Sequence, residues 1–298
     1  MQHLYKSLLE ALPEELRGLA PTLQQFTSTQ NPFLDRVKPT RTLSISLTDQ
    51  SCQQNCAHCN AHYLKGMQSF SKLHNLDLSS YEAALISGGS TVDGEVPIKQ
   101  HLQGIFELPQ HLKLNLHVGY QSPEALLPLK ARNPVVSFDL PASDSVIKEV
   151  YGLKYSREDF RQLYLEYCRH FKTVAHLTIG LCPEDFPAGE ENTLRFLATN
   201  HAKEVVALIF RPTPGTRMAD VQPPELAKVI SLMKQANEML ACPIHIGCMR
   251  PAGPYRRNFD ILAWMHGCRK FVMPDHQLVA ILEKHQVMVS NHHNCCAL

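Results

Sequence analysis

Ser51-Cys52-Gln53-Gln54-Asn55-Cys56-Ala57-His58-Cys59-Asn60 places three cysteines within eight residues, directly after the β-rich run Thr42–Leu47. A turning loop of this kind aims three sulfurs at one compact centre. Three thiolates suit a cluster of four irons when one iron is left without a protein ligand, a position open to a chelating cofactor. Structural zinc is the alternative, but it normally takes four ligands, often as two close pairs. His58 lies between Cys56 and Cys59 and is expected not to reach a metal that they share. A chance grouping of loop cysteines is the bland alternative.

Thr42–Leu47 is the first of eight short β-rich runs. The others are Ala83–Ser87, Lys113–Val118, Val135–Leu140, Val174–Gly180, Val205–Phe210, Pro243–Gly247 and Lys270–Met273. Stretches with helical spacing lie between them, such as Leu226, Val229, Ile230, Met233 and Leu240. Eight strands alternating with helices predict an α/β fold, a (β/α)8 TIM-type barrel. A doubly wound open sheet is the competing architecture. The expected organisation is an N-terminal helical extension over 1–40, a barrel over 41–286, and a tail over 287–298 that returns to the active face. The extension reads as helices at Leu4–Ala11 and Pro13–Gly18 and an irregular lead-in with Pro21, Pro32 and Pro39. A barrel holds its chemistry at the C-terminal ends of its strands. The cysteine loop, Ser87-Gly88-Gly89-Ser90, Asp139, Arg211-Pro212 and Cys248-Met249-Arg250-Pro251 all fall there.

The 298 residues are 44% apolar, enough for a sizeable core, and 29 basic residues nearly balance 28 acidic ones. A net charge of +1 gives no footing for nucleic-acid or membrane-surface binding, which usually leaves a basic excess. The N-terminus lacks a signal-peptide pattern, and no window approaches the length of a membrane span, so a cytoplasmic protein is expected. Ten cysteines in such a chain point to metal or redox chemistry rather than disulfides. Cys168 and Cys268 read as core. Cys242 falls at the wrong end of the barrel, and Cys182 is a reserve ligand.

The C-x3-C-x2-C spacing after the first barrel strand resembles the radical S-adenosylmethionine (SAM) superfamily. The resemblance implies that Cys52, Cys56 and Cys59 hold a catalytic 4Fe–4S cluster, with SAM chelating its unique iron. Ser87, Gly88 and Gly89 resemble the glycine pair that receives the methionine amino group, although Ser90 stands where many members carry Glu. His58 occupies the position whose backbone contacts adenine, Asp139 the polar position near the ribose, and Ile179 in His176-Leu-Thr-Ile179-Gly180 the strand that packs on adenine. An electron from flavodoxin or ferredoxin is implied as the trigger.

The chain ends Asn291-His292-His293-Asn294-Cys295-Cys296-Ala297-Leu298. A helix near Asp275–Lys284 ends at the bottom of the barrel, and the extended run from Val287 climbs from there. Eight extended residues reach at most about 28 Å. Cys295 and Cys296 are therefore expected over the mouth beside Cys248, the three together ligating an auxiliary 4Fe–4S cluster. Arg250 and Arg256 are expected to offset its charge or steer an anionic group. A frayed polar tail is the bland alternative.

The barrel as a whole resembles the biotin synthase-like branch. Cys56-Ala-His-Cys-Asn-Ala-His-Tyr63-Leu-Lys-Gly-Met67, Gly247-Cys-Met-Arg-Pro-x-Gly253 and the terminal cysteine pair resemble one subunit of two-protein lipoyl synthases. That resemblance implies sulfur insertion into the octanoyl chain of a lipoyl-domain carrier protein, sulfur from an auxiliary cluster, and a paralogous second subunit. The rival readings are a radical rearrangement of a small molecule without sulfur insertion, and a non-catalytic iron–sulfur electron carrier.

Overall fold

The computed structural model describes residues 1–28 and 32–298. The predicted lead-in therefore falls partly outside the described residues, at positions 29–31. Among the described residues eleven strands form one all-parallel sheet: β1 (Phe33–Val37), β2 (Thr42–Ser46), β3 (Gln68–Ser69), β4 (Ala83–Ser87), β5 (Lys113–His117), β6 (Val135–Asp139), β7 (Lys172–Ile179), β8 (Val205–Ile209), β9 (Ile244–Ile246), β10 (Lys270–Val272) and β11 (Met288–His292). Their order is β11-β1-β10-β9-β8-β7-β6-β5-β4-β2-β3.

From β4 to β10 spatial order follows chain order, so each crossover continues in the same direction. Right-handed crossovers without a reversal put the helices on one face, which argues against the doubly wound alternative. A closed eight-stranded barrel is not what forms, however. The sheet is a half-barrel whose ends, β11 and β3, do not pair with each other. All eight predicted strands are present, and three more join them. β1, hidden between Pro32 and Pro39, pairs with β10 and β11. Its Phe33 carbonyl also accepts from Trp264 Nε1 at 3.0 Å.

Strand alternation separates two environments. Ala175, Leu177 and Ile179 of β7 join the main core, as do Val205, Ala207 and Ile209 of β8. That core is completed by helices such as Arg157–His170 and Leu226–Met239, contributing Phe160, Tyr164, Val229, Ile230 and Met233. The first of these helices starts at a reciprocal cap, in which Ser156 Oγ accepts from the Asp159 amide and the Asp159 carboxylate from the Ser156 amide. The concave face is more polar. Asn115, Ser137, His176 and His245 are buried there, and the chain's own C-terminus covers them. Among the described residues no helix is long and apolar enough to cross a membrane.

Candidate active site at the mouth of the half-barrel

β2 ends in a polar turn that swings Cys52, Cys56 and Cys59 over the C-terminal ends of the strands. Asn55, Asn60 and Ala61 take positive φ, which bends the loop tightly enough for its sulfurs to converge. Cys56 and Cys59 Sγ lie within 4.8 Å of each other, and their interaction holds the pKa of Cys59 down to about 7 and raises that of Cys56, which burial raises further. Cys52 lies close enough for its charge to oppose ionisation of Cys56.

His58 departs from expectation. Its ring nitrogen, Cys56 Sγ and Cys59 Sγ all lie within 4.8 Å of one another. The side chain folds back over the loop instead of pointing away. Burial depresses its pKa to about 4, opposed by Asp139, and Nδ1 is buried without a hydrogen-bond partner among the described residues. A neutral ring with an unsatisfied nitrogen beside two thiols is what a site built for a further group presents.

The second loop grips the first. The Ser90 amide donates to Cys52 Sγ at 3.3 Å, and the Gln53 amide donates to the Ser90 carbonyl at 2.8 Å. A Cβ on Gly89 would collide with the Ser51 carbonyl and stand 2.6 Å from Cys52 Cα. Gly89 is thus required by the cysteine loop itself. Gly88 is less confined, since a Cβ there would stand 3.2 Å from the Leu47 nitrogen.

Below the loops lies a cavity of about 290 Å³. Cys52, Cys56, Cys59 and His58 line it, with Ser87, Gly88, Gly89 and Ser90, and with Asp139 at the end of β6. His117 Nε2 stands 3.7 Å from Asp139 Oδ1. Ile179 does not line the cavity. Its side chain shares the parity of Ala175 and Leu177 and packs into the main core, and the inward residue is Thr178. Nothing in the strand's composition marked Thr178, but its parity with His176 did.

Arg250 is likewise misread by sequence alone. Its guanidinium is fully buried and pairs with Asp260 at 2.8 and 2.9 Å. The remaining donors reach the carbonyls of Gly247, Val272 and Met273. No donor is left for an anionic cofactor, so Arg250 fastens β9 and β10 to the helix Pro254–Met265. Arg256 donates to the Arg250 carbonyl.

The tail does not climb over the mouth. β11 runs beside β1, and the chain then turns into the concave face near the N-terminal parts of the strands. Ala297 packs against Val135, Val174 and Val206, with Cys295, Cys296 and Leu298 around it. Cys295 Sγ accepts from Asn115 Nδ2 at 3.2 Å, and Cys296 Sγ lies 3.7 Å from His176 Nε2. His245 Nδ1 donates to the Cys296 carbonyl at 3.3 Å, and Lys270 Nζ to the Leu298 oxygen at 3.3 Å. The tail is therefore a floor. Its partners Asn115, His176 and Val206 sit two residues before the cavity-lining His117, Thr178 and Leu208, roughly 6.6 Å along the strands. The route outside the barrel fails because the polar residues inside it need partners, which the tail supplies.

Cys248 is exposed just beyond β9. It does not form a tight group with the tail thiols. Among the described residues the one set of three possible ligands within 4.8 Å is Cys56, His58 and Cys59. Its charge nevertheless reaches the tail, adding to burial in raising Cys295 and Cys296. Cys168 is exposed rather than core, whereas Cys268 is buried as expected. Cys182 packs beneath Ala57 of the cysteine loop and donates to Glu184.

No known family profile matches the sequence, and no curated protein matches it. Solved structures do. Methylornithine synthase aligns over 96% of this chain and 97% of its own, at 12% identity and a TM-score of 0.57. The two share a fold. Coproporphyrinogen III oxidase from Escherichia coli, a radical SAM enzyme, covers 76% of this chain and 56% of its own at 12% identity, with a TM-score of 0.42. At that score the likeness supports nothing further.

Proposed function

We propose that the chain is a radical SAM enzyme whose Cys52, Cys56 and Cys59 hold a 4Fe–4S cluster. The observation that carries this is the joined pair of loops, in which Ser90 donates to Cys52 Sγ and Gly89 fits only because it lacks a side chain. The donor set fits such a cluster. Three cysteines line one cavity and, among the described residues, no fourth cysteine lines it; His58, with a ring nitrogen within 4.8 Å of Cys56 and Cys59, is the donor that a structural zinc would have to recruit instead. When bound, the cluster and SAM supply a 5′-deoxyadenosyl radical able to take hydrogen from an unactivated carbon. The chain's own part is placement and exclusion of water. Ser87, Gly88 and Gly89 present backbone to a methionine moiety, Asp139 and Thr178 offer polar contacts to a nucleoside, and Leu64, Val96, Leu153, Phe160 and Leu208 supply apolar wall for a substrate chain.

The finer reading is lipoyl synthesis: sulfur insertion into the octanoyl chain of a lipoyl-domain carrier, with a paralogous partner subunit and a flavodoxin or ferredoxin as reductant. It is supported by the resemblance of the cysteine loop, of Gly247–Gly253 and of the terminal cysteine pair, and by the half-buried placement of that pair below the cavity. In this reading Cys295 and Cys296 contribute ligands to the auxiliary cluster that supplies sulfur, and Cys248, exposed beyond β9, is not grouped with them. A second reading, a small-molecule substrate without sulfur insertion, draws on the full-length likeness to methylornithine synthase.

An octanoyl-lysine peptide from a lipoyl domain separates them. Under reducing, anaerobic conditions it is expected to raise 5′-deoxyadenosine formation above the background rate and to acquire sulfur. Stimulation by free small molecules with none from the peptide would favour the second reading.

A further inference from the structure

The tail meets a histidine that lies 120 positions earlier in the chain, on β7. His176 Nδ1 lies 3.3 Å from the Val174 carbonyl. A carbonyl only accepts, so Nδ1 carries the proton and Nε2 carries the lone pair. That lone pair is on the nitrogen that faces Cys296 Sγ at 3.7 Å. An imidazole whose far nitrogen is tied to a backbone carbonyl is the arrangement by which proteins orient a histidine toward a metal.

The spacing agrees. Two ligands on one tetrahedral metal, with bonds of about 2.3 Å to sulfur and about 2.1 Å to nitrogen, stand roughly 3.6 Å apart. The neighbouring sulfur is prepared in its own way. Ser137 Oγ donates to Asn115 Oδ1 at 2.8 Å, which turns the Asn115 amide nitrogen toward Cys295 Sγ at 3.2 Å. An N–H donor aimed at sulfur favours the anionic thiolate that a metal needs. The backbone here is also fixed, by His245 on the Cys296 carbonyl and Lys270 on the Leu298 oxygen. The five features come from five different strands, β5, β6, β7, β9 and β10, and converge on the last residues of the tail.

We propose that His176, through Nε2, is a nitrogen ligand of a metal centre in the floor of the half-barrel, beside Cys296 and Cys295. The inference rests on the auxiliary-centre reading and deepens it, because it makes the centre a mixed nitrogen–sulfur site set inside the barrel. Mixed ligation raises the reduction potential of an iron–sulfur centre relative to all-thiolate ligation. The floor centre would then differ in potential from the one at the mouth.

The test uses the full chain with Cys52, Cys56 and Cys59 all changed to Ala, which removes the thiolates of the mouth site and leaves His58 with no cluster beside it. The protein is reconstituted anaerobically with iron and sulfide, and iron is counted. Pulsed electron paramagnetic resonance of the reduced sample then reads nitrogen coupling, with and without 15N-histidine labelling. Iron is expected to remain, with a directly bound nitrogen signal that changes on 15N-histidine labelling. His176→Cys should keep the iron and lose that signal, and His176→Ala should lose more than half of the iron. A centre with no histidine coupling in the unsubstituted floor would overturn the proposal, even if neither His176 variant folds. An iron-free triple variant would overturn the auxiliary-centre reading together with it, so the two failures are told apart.

Discussion

The backbone amide of Ser90 donates to Cys52 Sγ at 3.3 Å, joining the loop after β4 to the cysteine loop after β2. This contact makes the two loops one object. A change in the glycine segment is therefore felt by Cys52 directly, through the backbone.

Gly89→Ala should show this directly. The added carbon meets Ser51 and Cys52 backbone, which cannot swing aside as a flexible side chain does. The expected result is loss of most of the iron at the mouth site, measured per chain after anaerobic reconstitution. Gly88→Ala, with its nearest contacts at 3.2 Å, should retain it. Equal iron in both variants would contradict the joined-loop account.

Removing one partner of the buried Arg250–Asp260 pair leaves an uncompensated charge in the core. Asp260→Ala should cost about 3–5 kcal/mol in denaturant unfolding. The Asp275 amide, which donates to Asp260 at 2.8 Å, loses its acceptor as well. A loss below about 1 kcal/mol would mean that Arg250 finds other partners.

Glu190 gives a pH signature. It is buried, accepts from the Gly180 amide at 2.8 Å, and burial raises its pKa from 4.5 to about 7. Between these values the unfolded chain has released its proton and the folded chain has not. Stability therefore falls as pH rises through this window, and the loss is complete above about 7. Glu190→Gln keeps the acceptor and removes the charge. It should raise the melting temperature at pH 8 relative to wild type and change it little near pH 4, with at most about 3 kcal/mol at stake.

Thr178 and Ile179 are neighbours with opposite fates. Thr178→Val keeps the shape and removes a polar contact from the cavity, so it should weaken SAM binding severalfold by equilibrium dialysis while leaving stability near wild type. Ile179→Val should cost about 0.5–1.5 kcal/mol of stability and leave SAM affinity unchanged.

Much of this architecture was legible. The eight inner strands stood out because runs such as Val135–Asp139 and Val205–Ile209 are apolar and β-branched between turn residues. β1 did not, since Asp35 and Arg36 interrupt it and prolines flank it, and its strand character comes from pairing on both sides. The mouth of the site was legible from cysteine spacing. The parity that turns Thr178 inward was available in His176-Leu-Thr-Ile179, with Asp139 two positions beyond Ser137 showing the same alternation. The floor was harder. Asn115, His176, His245 and Lys270 lie on four separate strands, and each alone reads as an exception in an apolar run. Only the curvature of the sheet brings them together around the tail.

The central claim is that Cys52, Cys56 and Cys59 hold a cluster that cleaves SAM reductively. The direct measurement is formation of 5′-deoxyadenosine and methionine from SAM by the anaerobically reconstituted protein with dithionite, compared with the chain carrying Cys52→Ala, Cys56→Ala and Cys59→Ala. The account predicts that the wild-type chain forms both products in equal amounts and that the triple variant forms neither above the protein-free background. Undiminished cleavage by the triple variant, or none by a wild-type chain with its iron in place, would contradict it.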